Sequence, residues 1–123
     1  MKFSKDKDKT LYVYCRVSTT KQDEEGHSLD IQEERGRQIS KKLNLKPIVI
    51  KEQGSGLKPF EDERPLFSDL YFEGICDGKV KNLWTDDLLR LTRHDRDQTI
   101  IYWRLQDLGI RYYVGMTTEP KNL

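Results

Sequence analysis

Leu11-Tyr12-Val13-Tyr14-Cys15-Arg16-Val17 is a short, mostly apolar run rich in β-formers, and Ser18-Thr19-Thr20 breaks it. Such a run reads as a strand buried on both faces, as in the middle of a parallel sheet. Outward from it the pattern alternates. Ser28 offers an N-cap and Asp30 a first-turn carboxylate for a helix reaching about Leu43, with Leu29, Gln32, Gly36, Ile39 and Leu43 along one stripe. Ile48 to Glu52 reads as a second strand, running into the loop Gln53-Gly54-Ser55-Gly56. Pro65 suits a first helical turn, and Leu66, Leu70 and Gly74 follow at helical spacing up to Asp77-Gly78. Asn82 to Asp86 reads as a third strand. A helix from about Asp95 to Leu108 turns Ile101, Leu105 and Leu108 inward and ends at Gly109, and Arg111 to Gly115 supplies a fourth strand. This alternation predicts an α/β fold of three layers, a mainly parallel central sheet of four or five strands with helices on both faces. Functional groups in such sheets gather beyond the C-terminal strand ends, where the loops after Val17, Glu52 and Asp87 should meet.

The chain has 123 residues, enough for one domain with its own core. Its 22 basic and 21 acidic residues leave a net charge of +1. That balance argues against DNA binding driven by overall charge but leaves room for a local basic site. Cys15 and Cys76 lie far apart in apolar stretches, and neither they nor His27 and His94 have metal-ligand spacing, so no metal is expected. They read as reduced thiols. No apolar run approaches the ~18–20 residues of a membrane helix, and the charged start lacks a signal-peptide core. A cytoplasmic protein is expected, with residues 1–10 a flexible N-terminus, 11–115 the domain, and 116–123 a tail without apolar periodicity that looks cut off.

Chemistry concentrates in three loops. In an extended segment Arg16 and Ser18 point the same way, so a hydroxyl nucleophile would sit beside a guanidinium able to fork onto a phosphate. Leu89-Arg90-Leu91-Thr92-Arg93-His94-Asp95-Arg96 carries three arginines spaced three apart, which would line one face if they entered the next helix. Arg64 stands at the mouth of the second helix. The bland readings are a Ser/Thr-rich turn with a surface arginine, and arginines that merely pair with the many carboxylates. Four arginines and one serine at one sheet edge instead fit phosphoryl transfer in which the protein supplies positioning and charge stabilisation.

Tyr14 to Gln22, followed by Ser28-Leu29-Asp30-Ile31-Gln32, resembles the N-terminal signature of the resolvase/invertase serine recombinases. The insert Asp23-Glu24-Glu25-Gly26-His27 looks most like the large serine integrases. The Gly-Ser-Gly loop, Glu63-Arg64-Pro65-Leu66 and Arg90-Leu91-Thr92-Arg93 match the family in order and spacing, so the likeness runs from about Leu11 to Gly115. It implies a site-specific DNA recombinase whose Ser18 attacks the scissile phosphate to give a 5′-phosphoserine and a free 3′-hydroxyl. Arg16, Arg90 and Arg93 would surround the phosphate, Arg64 would assist, and Gln22 and Gln32 would orient the serine or the phosphate. The resemblance implies double-stranded DNA as partner, a homodimer and tetramer in the full-length protein, a mobile genetic element as source, and neither metal nor nucleotide cofactor. It also implies that residues 116–123 begin a connection to a dimerisation helix and a DNA-binding region.

Two positions stand apart. Small resolvases carry an aspartate where this chain has Leu89, and their acidic residue at the end of the second strand is matched by Glu52. Asp87 would share a face with Leu89 if the third strand continued. Two other function classes compete: a catalytically silent α/β module binding phosphate or a nucleotide, though without P-loop or dinucleotide spacing, and an oligomerisation domain whose arginines only pair with carboxylates.

Overall fold

β1 (Thr10–Val17) runs through the interior of a four-stranded, all-parallel sheet in the order β2-β1-β3-β4, with β2 at Lys46–Gln53, β3 at Asn82–Thr85 and β4 at Arg111–Val114. The structure is a computed structural model that describes residues 1–18, 28–55 and 57–122. Every residue of β1 is buried, so the apolar run at 11–17 is two-sided. Leu11, Val13 and Cys15 face one layer with Ile39, Trp84 and Tyr113. Tyr12 and Tyr14 face the other, with Phe60, Phe67, Leu70, Ile101 and Leu105. The three-layer α/β architecture expected from the alternation is therefore present, with four strands.

The first layer is α1 (Leu29–Lys42), capped by Ser28, whose Oγ accepts the Ile31 N–H at 3.2 Å. Gln32, Gly36 and Ile39 of the expected stripe are buried. Gly36 lets this helix lie close to the sheet: a Cβ there would come within 2.3 Å of Val13 Cγ1 and 3.0 Å of the Trp84 ring. Alanine gains about 1 kcal/mol of helix propensity over glycine, but overpacking costs about 1–3 kcal/mol. A β-branched neighbour in a central strand cannot retreat, so the second effect wins. Gly36→Ala is expected to lower the urea midpoint, and an unchanged midpoint would mean that α1 lifts off the sheet freely.

The second layer is assembled from short pieces: α2 (Phe60–Glu63), α3 (Pro65–Asp69), a π-helical stretch at Leu70–Ile75, and α5 (Asp95–Asp107). Phe67, Leu70, Tyr71 and Gly74 are buried, at the i, i+3, i+4 and i+7 spacing of one helical face, while Leu66 is exposed. α5 ends as expected at Gly109, whose φ of +65° is the left-handed conformation that favours glycine there. At the other end of the sheet, Phe3 packs on Tyr12 with ring centroids 5.8 Å apart, and the Ser4 N–H donates to the Tyr12 hydroxyl. Cys15 and Cys76 are free thiols, and burial pushes the Cys15 thiol up to about 12. Among the described residues, no helix is long and apolar enough to cross a membrane.

Candidate functional site

The strand order reverses direction between β1 and β3, and these two pair directly only at Tyr12–Leu83 and Val13–Trp84. No strand pairing links them beyond Val13, and the region past their C-terminal ends is the usual place for a site in an open parallel sheet. The Arg16 peptide would lie unpaired on that side. Gln32 reaches from α1 to satisfy it, donating to the Arg16 carbonyl at 3.0 Å and accepting the Arg16 N–H at 3.1 Å. Gln32 thus holds the backbone two residues before Ser18. Ser18 is the first residue after β1 and is half-buried. Gln22, like Thr19, Thr20, His27 and Gly56, lies outside the described residues.

Arg16 is fully buried and its guanidinium gathers three loop carbonyls: Gly54 from Nη1 at 2.8 Å, Arg90 from Nε at 2.8 Å and Leu89 from Nη2 at 2.5 Å. It therefore brackets the ends of β2 and β3 against β1, and two of its five N–H groups remain. Arg90 returns the contact, donating Nη1 to the Arg16 carbonyl at 3.1 Å. Arg64 is also fully buried. Its Nη1 donates to the Leu91 carbonyl, its guanidinium lies 4.9 Å from the centre of the Phe67 ring, and its Nε and Nη2 have no hydrogen-bond partner among the described residues. Arg93 is exposed.

These arginines act on one another. Burial first, and then the charges of Arg64, Arg90 and Arg93, bring the Arg16 guanidinium down to about 10, with Tyr14 acting in the opposite sense. Of the four, only Arg90 has a carboxylate beside it among the described residues, Asp87 at 3.5 Å from Nε. Clustered guanidinium charge with so little compensation is costly, and an anion bound there relieves it. Among the described residues, neither Arg16 nor Arg64 has a carboxylate ion-pair partner.

The arginine run does not enter one helix, so the condition under which Arg90, Arg93 and Arg96 would line one face is not met. α4 (Leu88–Leu91) is a single turn, Thr92 is extended, and α5 begins only at Asp95. The cause is hydrogen bonding. The carbonyls of Leu89, Arg90 and Leu91, which a longer helix would give to its own amides, are taken by Arg16 and Arg64. Asp87 likewise does not continue β3. It is the N-cap of α4, its carboxylate accepting the Arg90 N–H at 3.0 Å, while Leu89 is exposed. Asparagine caps a helix as well as aspartate does, so Asp87→Asn is expected to slow a phosphoryl transfer at this site by about tenfold or less, whereas loss of a general base costs about 10²–10⁴-fold. A thousandfold loss, with an acidic limb vanishing from the pH–rate profile, would make Asp87 the base.

Sequence reasoning missed the part played by Tyr14, although its place two residues before Arg16 puts it on the same face. Its hydroxyl donates to Glu52 at 2.7 Å. Burial pushes the phenol far up from its ordinary value, so it is held protonated and is no candidate nucleophile.

The family model described as "Resolvase, N terminal domain" matches residues 11–120. No curated protein matches the chain. Among solved structures, the N-terminal catalytic domain of TP901-1 integrase is similar at 27% identity and a TM-score of 0.69, over 85% of this chain and 76% of that one. A resolvase family site-specific recombinase from Streptococcus pneumoniae is similar at 26% identity and a TM-score of 0.64, over 86% of this chain and 71% of that one. The C-terminal catalytic domain of ISC1926 TnpA, an IS607-like serine recombinase, shares the fold at 24% identity and a TM-score of 0.69, over 91% and 71% of the two chains.

Proposed function

Since the chain belongs to the resolvase N-terminal domain family, we propose that the region past the C-terminal ends of β1 and β3 is the site at which a serine site-specific recombinase cuts and rejoins DNA, with Ser18 as nucleophile. The observation that carries the residue-level reading is the convergence of Arg16, Arg64, Arg90 and Arg93 beyond the end of β1, which Ser18 directly follows, with one neighbouring carboxylate among the described residues. A phosphodiester supplies the missing negative charge.

The chemistry follows from that placement. The Ser18 Oγ attacks phosphorus as the P–O3′ bond breaks, its proton is lost, and the departing 3′ oxygen is protonated. The energy of the phosphodiester is kept in the Ser18–O–P bond, so a 3′-hydroxyl can reverse the step and release the serine. Charge accumulates on the non-bridging oxygens in the transition state, where preorganised guanidinium donors in a water-excluded site act most strongly. Arg64 has two unpaired donors for this, and Arg16 has two left over from its bracket. Arg93 offers an exposed charge without an ion-pair partner among the described residues. Gln22 and Gln32 act by orientation, Gln32 through the Arg16 peptide. Double-stranded DNA is the partner, and a homodimer assembling into a tetramer lets both duplexes be cut together.

The silent phosphate-binding module is not favoured, because it gives no reason for a serine directly after the strand end where guanidinium charge is clustered. The test is to incubate the intact protein with a duplex nicked near the cleavage point, so that the short strand diffuses away and traps the intermediate. A covalent adduct with a protein-blocked 5′ end is the expected product. Reversible binding alone would favour the module.

A further inference from the structure

We infer that Tyr14 is a positioning residue for Arg64, acting through the carboxylate of Glu52; this role rests on the recombinase reading of the site. Glu52 is buried and sits near the end of β2. Its carboxylate accepts three hydrogen bonds, from the Tyr14 hydroxyl at 2.7 Å, the Leu66 N–H at 2.7 Å and the Phe67 N–H at 3.1 Å. The last two are the first amides of α3 able to donate, because Pro65 has none. Arg64 is the N-cap of α3, yet its side chain makes no capping bond. The helix start is therefore held from another strand, by a carboxylate doing what a Ser or Asp cap ordinarily does.

Arg64 is fixed by that anchorage. Its backbone precedes Pro65 directly, and its guanidinium lies over Phe67, whose amide is one of the two bound by Glu52. The Tyr14 ring itself packs on Phe67 with centroids 5.0 Å apart. On the other side Gly54 leaves no slack, since a Cβ there would come within 2.6 Å of the Glu63 carbonyl oxygen and 2.8 Å of Arg64 Cγ. Nothing in the proposed chemistry uses Tyr14 or Glu52, although both are buried and polar. Their geometric effect is to fix where the two unpaired donors of Arg64 point. Without the Tyr14 hydroxyl, one of the carboxylate's three bonds is lost, and the oxygen that shared it keeps only the longer contact to the Phe67 amide. A displaced guanidinium would slow the step without removing any group that touches DNA.

Tyr14→Phe removes only the hydroxyl and keeps the ring in the core, so the variant is expected to fold. Single-turnover cleavage by the intact protein should fall by between about tenfold and a hundredfold, the scale expected of a misplaced catalytic group, while DNA binding stays unchanged. In an Arg64→Lys background the same substitution should cost less than about threefold, because a group acting through Arg64 has little left to position. A second readout needs no chemistry: in nitrogen-15-labelled protein, Tyr14→Phe should shift the Arg64 Nε–Hε resonance, and Glu52→Gln should shift it further. Equal rate losses in both backgrounds, a Tyr14→Phe rate within twofold of wild type, or an unmoved Arg64 resonance would each overturn the positioning role. Failure of the wild-type protein to form a serine-linked adduct would instead overturn the recombinase reading, and the resonance measurement tells these failures apart.

Discussion

Ser18→Ala is expected to abolish strand cleavage by the intact protein and to leave DNA binding nearly unchanged. Binding draws on the arginines, which the substitution does not touch, whereas the covalent step needs an oxygen at this position. Removing a serine nucleophile from a preorganised site can cost on the order of 10⁶-fold in rate. Tyr14, the nearest buried tyrosine along the strand, is engaged with Glu52 and held protonated, so it offers no substitute. Cleavage is read on a denaturing gel from a nicked duplex, and binding by gel shift with the same duplex. Alanine protein that still cuts at a measurable fraction of the wild-type rate would show that another hydroxyl does the work.

The second large effect is expected for lysine in place of Arg16 and Arg93, and the two positions separate charge from structure. Lysine keeps the charge but cannot make a planar fork onto two phosphate oxygens. Losing one preorganised donor of this kind typically costs about 3–4 kcal/mol, or roughly two to three orders of magnitude in rate. Arg16→Lys additionally releases the carbonyls of Gly54, Leu89 and Arg90 from their bracket. Each buried carbonyl left unpaired costs about 1–3 kcal/mol, so this variant should also unfold at lower denaturant. Arg93 is exposed, and Arg93→Lys should lose rate with stability within about 0.5 kcal/mol of wild type. Single-turnover rates near wild type for both would mean that the arginines serve the fold alone.

Much of this was legible in the sequence because local signals and the fold agree. The two-sided apolar run at Leu11–Val17, the Ser28 cap, the Gly109 stop and the alternation of elements each have one physical solution, and the structure adopts it. The convergence of Arg16, Arg64, Arg90 and Arg93 was legible for the same reason, since a parallel sheet brings its C-terminal loops together. What failed was local reading where a distant donor decides. Residues 90–96 have helical spacing, but the carbonyls of Leu89, Arg90 and Leu91 belong to Arg16 and Arg64, which no window of sequence contains. Asp87 could be read as a strand residue only until α4 claimed it as a cap. Leu66 has helical spacing to Leu70 and Gly74, but the buried face runs through its neighbour Phe67 instead. Glu52 carries a capping role that would ordinarily fall to the residue before the helix, and Tyr14 looked like one more core aromatic.

The account stands most directly on the residue that becomes joined to DNA. Adduct trapped on a nicked duplex, digested and sequenced by mass spectrometry, identifies it. Trypsin releases residues 17–21 as one peptide holding Ser18, Thr19 and Thr20, so fragment ions rather than peptide mass must locate the nucleotide. The account predicts a 5′-phosphate bonded to Ser18 and a free 3′-hydroxyl on the other strand end. A linkage on Thr19, Thr20 or any tyrosine, or one through a 3′-phosphate, would contradict it.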